Sequence, residues 1–347
     1  MLRNLIALAS CAPLLWAQAQ MSPRQLIEGD HWKRARAWVE SHPGSDAESL
    51  YLTATVKQAF GDLDAAEKYA QRAVDANPKE AEYHYRLSDI TGGKSQKASV
   101  FHQIGLGRTF KKECDVALSL NPNHVGALFN MMEFYLHAPG VIGGDKAKAR
   151  VLAEKISKLD SQKGIQAEIE IASAEKQQEK INDIIRNAIA TYKPESFDGH
   201  LMLAGWLAGV KDARFDDAMQ HAREAMRMHP DRAGSYALIA AIQARQQKWA
   251  ELETTFAEAD KNVPDNLLAY FRAGNSLLNN KLDLPRAERY FRKYLTQDPE
   301  PHSPSASAAH WRLGLVLDAA GRKPDAIAEW KTAVKLDPNS PAKKELK

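Results

Sequence analysis

The amino-acid sequence predicts an all-α solenoid of about eight consecutive helix-turn-helix units. Three observations predict it. Small residues and closing prolines recur at intervals of about 34 residues. The composition is rich in Ala, Leu, Lys and Glu and holds only 8% aromatic residues, which favours helices. We also find no segment with the strict apolar–polar alternation that is typical of a strand.

The clearest unit lies close to the end of the sequence. Small residues at positions 314 and 326 allow two helices to cross closely, and a tryptophan fills the space around the crossing. A glycine then ends the first helix, and a proline ends the second because it cannot continue a helix. The marker residues of this unit are Leu313, Gly314, Leu317, Gly321, Ala326, Trp330, Ala333 and Pro338.

This spacing resembles the tetratricopeptide repeat (TPR) family, whose pattern reads L-G-x-x-Y, then A-x-x-x-F, then A and P. The resemblance implies a right-handed helical solenoid in which each unit packs only on its neighbours. It also implies protein binding rather than catalysis. Weaker versions of the same marks occur in residues 47–80, 81–124, 125–160, 197–230, 233–264 and 267–299.

The predicted TPR solenoid covers residues 47–347, and residues 20–46 are expected to form an N-terminal helical cap or half-repeat. Residues 161–196 are interpreted as a diverged repeat, because they keep apolar helical periodicity but few small-residue marks. The repeat spacing indicates insertions near residues 91–107 and 138–144. The second insertion reads APGVIGG, which resembles an A-P-G-x-x-G-G turn found in a group of exported bacterial TPR proteins.

Residues 1–19 are predicted to be a signal peptide. They combine a positively charged start, an apolar stretch too short to span a bilayer, and an A-x-A site at residues 17–19. Cleavage near Gln20 would give an exported protein, periplasmic or secreted. An alternative is an envelope-assembly lipoprotein anchored through Cys11, because residues 8–11 resemble a lipobox.

Several other classes of function find little support. The 47 Lys and Arg residues nearly balance the 44 Asp and Glu residues, so nucleic acid is not an expected partner. The sequence SDITGGKS resembles the end of a P-loop, but Ser88 stands where the pattern needs glycine. We expect Thr91-Gly92-Gly93 to end a helix in a loop, and we expect no cofactor. Cys114 is expected to be a buried small residue without a disulfide partner.

By resemblance to the TPR family, ligands contact positions 2, 5, 9, 12 and 13 of each repeat, on first helices that line a concave surface. Position 5 holds Tyr51, Tyr85, Phe129, Leu201, Phe271 and Trp311, and position 9 holds Thr55, Asp89, Glu133, Asn275 and Leu315. Rigid rings give contact area at low entropic cost, and polar groups fix the register of a bound peptide. The expected partner-binding groove comprises Tyr51, Tyr85, Phe129, Glu133, Phe271, Asn275 and Trp311. The alternative is that these rings pack between neighbouring units.

The inserted repeats suggest two further hypotheses. A metal-binding or enzymatic site is an alternative function there, because His84, His102, His124 and His137 all fall in the second and third repeats. Val141-Ile142 would form an unusual exposed apolar tip. We expect this tip to fold back onto residues 92–107, and a partner-binding tip is the alternative. The expected partner is an unidentified protein or peptide.

Overall fold

A computed structural model describes residues 21–97 and 99–347, without the side chains of residues 97, 100 and 101. The predicted signal peptide and Cys11 therefore lie outside the described residues. The described part contains nineteen α-helices, one short 3-10 helix and no strand, so the all-α prediction is confirmed. None of the helices in these ranges has the length and apolar character needed to cross a membrane.

Helices from α3 to α18 pack as successive pairs, each odd-numbered helix against the even-numbered helix that follows it. This gives eight pairs, as predicted, with one more short pair before them in the described chain. The helices are α1 (Pro23–Glu28), α2 (Trp32–Ser41), α3 (Ala47–Ala59), α4 (Leu63–Ala76), α5 (Ala81–Lys97), α6 (Val100–Leu120), α7 (Val125–His137), α8 (Lys146–Leu159), α9 (Ser161–Ala174), α10 (Gln178–Thr191), α11 (Phe197–Gly209), α12 (Phe215–Met228), α13 (Ala233–Arg245), α14 (Trp249–Asn262), α15 (Leu268–Asn279), α16 (Leu284–Tyr294), α17 (Ala306–Ala319), α18 (Lys323–Leu336) and α19 (Ala342–Glu345).

Local chemistry sets where these helices begin and end. At the start of α3, the Asp46 carboxylate accepts a hydrogen bond from the backbone N–H of Ser49 at 3.0 Å, which satisfies one of the free donors of the first turn. At the end of α17, Gly321 adopts a φ of +77°, a conformation that glycine reaches without steric cost. Helix α18 ends before Pro338, as predicted.

The crossing of α17 and α18 shows why the repeat needs small residues. A Cβ atom on Gly314 would overlap the indole of Trp330, so only glycine permits this approach. Trp330 is 1% exposed, and its Nε1–H donates a hydrogen bond to the carbonyl of Trp311 at 3.3 Å. The predicted close crossing is confirmed.

The first insertion does not form the expected loop, and that prediction is wrong. Helix α5 continues through Gly92-Gly93 to Lys97, so the extra residues lengthen α5 and α6 instead. Two glycines inside a helix cost about 1 kcal/mol each. Burial of Leu87, Ile90 and Thr91 against neighbouring helices offsets that cost. The lysine of the P-loop-like sequence, Lys94, pairs with carboxylates of α4 instead of closing a phosphate loop.

The odd-numbered helices line the inside of the curved array. Contacts join α7 to α9, α11 to α13, α13 to α15 and α15 to α17, whereas no two even-numbered helices of the described chain make contacts of that extent. Helices on the inside of a curve approach one another, and helices on the outside diverge. We call the surface formed by the odd-numbered helices the inner face.

Candidate partner-binding surface

Four of the predicted position-5 and position-9 residues lie together on α5 and α7. Tyr85 and Asp89 are one helical turn apart on α5, and Phe129 and Glu133 are one turn apart on α7. All four side chains are partly exposed. Three of them, Tyr85, Phe129 and Glu133, belong to the expected groove and lie where a partner could reach them.

Tyr85 lies flat against α7. A Cβ atom on Gly126 would lie 2.7 Å from Cζ of Tyr85, so glycine at this position makes room for the ring. The imidazole of His124 completes the contact, with 4.8 Å between the two ring centroids. The ring is thus held in one orientation by α7, which gives a rigid platform on the inner face.

A polar network beneath this platform was not predicted. The hydroxyl of Tyr51 donates to Glu82 Oε1 at 2.7 Å, and His124 Nε2 lies 3.1 Å from Glu82 Oε2. Burial opposes the charged form of Glu82, but these bonds and the nearby Arg86 hold the pKa of its carboxyl below the usual value. The Arg86 guanidinium lies between Tyr51 and Tyr85, 5.5 and 5.7 Å from their centroids. Tyr51 is only 7% exposed, so its ring joins repeats rather than facing a partner.

A pocket of about 710 Å³ opens beside these residues, and both insertions contribute to it. We call it the insertion pocket. Its walls come from α5, α6, α7 and the turn after α7, and Glu170 of α9 also lines it. The large apolar residues of the lining are Ile104, Phe110, Phe134 and Ile142, and the acidic ones are Asp89, Glu133 and Glu170.

The three carboxylates of the insertion pocket differ in how they are compensated. Asp89 accepts a hydrogen bond from Gln58 at 2.7 Å, and Glu170 lies 3.0 Å from His137 Nε2. Glu133 has no hydrogen-bond donor within the described residues. Its burial, together with the negative charges of Glu170 and Asp89, raises the pKa of its carboxyl above the usual value, although the charges of His137 and Lys163 oppose the increase. The pocket therefore has an acidic interior that favours a positive charge.

The C-terminal part of the expected groove is mostly filled by packing. Phe271 is 5% exposed, with its centroid 5.4 Å from Phe291 and 5.1 Å from Tyr294 of α16. The structure thus places this ring in the core, because α16 leaves space for it between the two helices. Asn275 and Trp311 are half-buried, and the guanidinium of Arg312 lies 4.5 Å above the Trp311 ring.

The structure does not bring the four histidines of the inserted repeats together. Each has a different partner: His84 pairs with Glu113 at 2.6 Å, His102 with Ser99 at 2.9 Å, His124 with Glu82 at 3.1 Å and His137 with Glu170 at 3.0 Å. Across residues 21–97 and 99–347, no three His, Cys, Asp or Glu side chains form a group that could hold a metal ion. Cys114 is buried, as predicted, and burial raises the pKa of its thiol to about 12.

The two apolar residues at the tip of the second insertion differ in exposure. Ile142 is 49% exposed and lines the insertion pocket with Ile104 of α6, which agrees with the expected fold-back. Val141 is 95% exposed and does not line the insertion pocket. The fold-back expectation is therefore wrong for Val141, because the 3-10 turn at Gly140–Ile142 directs the two side chains differently.

Comparison with known proteins finds two segments of recognisable sequence. The tetratricopeptide repeat family model matches residues 51–90 and 271–341, and no curated protein matches the chain. Among solved structures, yeast Tom70 is 14% identical, with coverage of 93% of this chain and 85% of that chain and a TM-score of 0.45. PilW, described as a type IV pilus biogenesis factor, is 17% identical, with 64% and 97% coverage and a TM-score of 0.42. A tetratricopeptide repeat protein from Parabacteroides merdae is 17% identical, with 87% and 98% coverage and a TM-score of 0.41. This chain is thus similar to the tetratricopeptide repeat family in a segment near each end of its helical array.

Proposed function

We propose that this protein is an exported scaffold that binds a segment of a partner protein along its inner face, with the insertion pocket as the anchor. The observation that carries the proposal is the half-buried carboxylate of Glu133, which accepts no hydrogen bond from the described residues, in a pocket with a partly apolar wall. Similarity to tetratricopeptide repeats supports the general role of a protein-interaction scaffold.

The chemistry of the pocket indicates what part of a partner would bind there. A Lys or Arg side chain would pair with Glu133 in a partly desolvated site, where opposite charges attract more strongly than in water. An apolar side chain next to that cation would be buried against Ile104 and Phe134. The partner segment would thus combine a basic residue with an adjacent apolar one.

The inner face offers contacts for the rest of such a segment. Tyr85 and Phe129 would provide ring surfaces beside the pocket, since rigid aromatic side chains bury area at low entropic cost. Asn275 and Trp311 stay candidates for a second contact, because both are half-buried on the odd-numbered helices α15 and α17.

Selection of peptides from a random-sequence display library tests the binding proposal. Peptides selected on the wild-type protein should be enriched in a basic residue next to an apolar one. Their affinity, measured by fluorescence anisotropy, should fall at least about tenfold with Glu133→Lys, since the substitution replaces an attractive charge by a repulsive one. Glu154→Lys makes the same charge change on the exposed side of α8, so it is the matched control and should leave binding intact. Equal affinity of the wild type and Glu133→Lys would contradict the proposed site.

Export is tested separately. Mass spectrometry of the protein isolated from its native source should give a mature chain that begins near Gln20. A lipid-modified Cys11 at the first position would instead support the anchored alternative. A chain that retains residues 1–19 would contradict export through a cleaved signal.

A further inference from the structure

The turn between α1 and α2, together with the first residues of α2, contacts parts of the chain that are more than 200 residues away. His31 Nδ1 lies 3.0 Å from Asp265 Oδ2, a separation of 234 residues. The backbone N–H of Lys33 donates to Glu300 Oε2 at 3.0 Å, a separation of 267 residues. Most other side-chain hydrogen bonds of the described residues join positions within one repeat or in neighbouring repeats, so these contacts are unusually long-range.

The same region contacts the three loops that precede α13, α15 and α17 in the C-terminal half. Arg232 precedes α13 and lies 3.2 Å from Asp30, while Asp265 precedes α15. Glu300 belongs to the loop before α17. Two further contacts reach that last loop: Lys33 Nζ donates to the carbonyl of Asp298 at 2.8 Å, and the Trp32 ring meets the His302 ring edge-on at 5.4 Å. The contact therefore spans three repeats rather than a single loop.

The side chains at the centre of this contact are deeply buried. His31 is 2% exposed and Glu300 is 3% exposed. Lys33 Nζ stands 3.8 Å from Glu300 Oε1, too far for a hydrogen bond, and this oxygen has no other partner in the described part of the chain. A carboxylate at this position is thus only partly compensated, whereas a carboxylic acid would carry no charge into the buried site.

We propose that this contact is a latch that closes the curved array on itself, and that uptake of a proton by Glu300 strengthens the closed state. Residues 30–33 form the moving side of the latch, and the loops containing Arg232, Asp265 and Glu300 form the fixed side. Release of the proton leaves a buried charge at the closure and favours opening.

The charged groups around Glu300 support this direction. Burial raises the pKa of the Glu300 carboxyl to about 7, although the backbone N–H and the ammonium group of Lys33 act to lower it. The negative charge of Asp265 adds to the increase, and His31 opposes it. Burial also opposes the charged form of Asp265, but its bond to His31 and the charges of His31 and Arg34 hold the pKa of that carboxyl below its usual value. Among these carboxyl groups, Glu300 is the one that takes up a proton near neutral pH.

The sign of the pH effect follows from the two states of Glu300. In the closed state its pKa is about 7, and in the open state it returns toward the ordinary value of 4.5. Between these values the closed state binds more protons, so stability of the latch is lost as the pH rises. From pH 5 to pH 8 the opening equilibrium should increase by up to roughly a hundredfold.

Hydrogen–deuterium exchange of the full protein measures this opening directly. The backbone amide of Lys33, whose hydrogen is bonded to Glu300, should lose protection by tens of fold between pH 5 and pH 8, after correction for the intrinsic exchange rate. Glu300→Gln keeps an oxygen that can accept from Lys33 N–H but cannot ionise, so its protection should not change over this range. Lys33→Met removes the facing cation and should give a larger loss than the wild type.

A matched control separates the latch from a general charge effect. Glu329 also pairs with a histidine, His310, at 2.6 Å, but this pair lies within the α17–α18 unit. Glu329→Gln should retain the pH-dependent loss of protection at the Lys33 amide. Wild-type protection that stays constant from pH 5 to pH 8 would overturn the proposal, and so would an equal loss in the wild type and Glu300→Gln.

Discussion

The C-terminal helices α13–α18 and the central pair α9–α10 differ sharply in how they are packed. One continuous apolar core runs from Ala233 to Ala342 through the C-terminal helices. Helix α13 buries nine of its residues, whereas α10, one residue longer, has only Ala188 buried among the residues described. In a repeat array stability is a sum of local units and their interfaces. The array is therefore expected to open first at α10.

The latch determines how the weak packing of α10 affects the whole array. It joins residues 30–33 to loops of the C-terminal half and so connects two ends that are otherwise linked through α10. With the latch closed, a weakly packed central pair is tolerated. With the latch open, motion at α10 would change the curvature of the inner face.

The largest expected effect compares side-chain truncation in the two regions. Leu317→Ala removes a fully buried side chain of α17 and should cost about 2–5 kcal/mol of unfolding free energy. Ile185→Ala, on the half-buried face of α10, should cost about 1 kcal/mol. Urea denaturation followed by circular dichroism measures both. Equal costs would show that the two regions are packed alike, contrary to this comparison.

A smaller effect is expected from adding a methyl group at a helix crossing. Gly314→Ala forces the Trp330 indole to move and should cost about 1–3 kcal/mol. Gly205→Ala in α11 meets open space and should instead be neutral or stabilise the protein by up to about 1 kcal/mol, because alanine favours the helix. Thermal melting of the two variants should therefore shift in different directions. A similar loss in both would argue against the close crossing.

The smallest expected effect concerns the helix start that follows α10. The hydroxyl of Ser196 accepts from the Gly199 N–H and donates to Gln162 Oε1 of α9 at 3.0 Å, so it links the start of α11 to α9 across the central pair. Ser196→Ala should cost about 1 kcal/mol and speed hydrogen exchange in α10 and α11. Ser305→Ala removes a similar cap from α17 and should leave exchange in α10 unchanged. An effect on α10 exchange from both variants would mean that the central pair is not a separate unit.

Local features of this fold could be predicted from the sequence, and long-range ones could not. The crossing at Gly314 and Trp330 depends on residues within one repeat, so spacing alone indicated it. The continuation of α5 through Gly92-Gly93 depends on burial against other helices, which overrides the low helix propensity of glycine. The burial of Phe271 depends on the rotation of α15 about its own axis, which the repeat pattern does not specify.

The candidate site likewise contains residues with a local sequence signal and residues without one. Repeat positions identified Glu133 and Asp89, but Glu170 and the apolar wall at Ile104 come from other helices and had no local signal. Glu82 occupies position 2 of its repeat, which is also a ligand-contact position of the TPR pattern. The pattern therefore marked Glu82 as a contact residue, but the expected groove was chosen from positions 5 and 9. The contacts of His31 could not be predicted, since they join residues more than 200 positions apart.

Site-specific photo-crosslinking tests the location of the binding surface most directly. A photoreactive phenylalanine analogue would replace Phe129 on the inner face or, as a control, Val151 on α8, which is 64% exposed. With a peptide selected on the wild-type protein, or with the protein in its native source, position 129 should crosslink to the partner and position 151 should not. Crosslinks from position 151 in the absence of any from position 129 would contradict binding along the inner face.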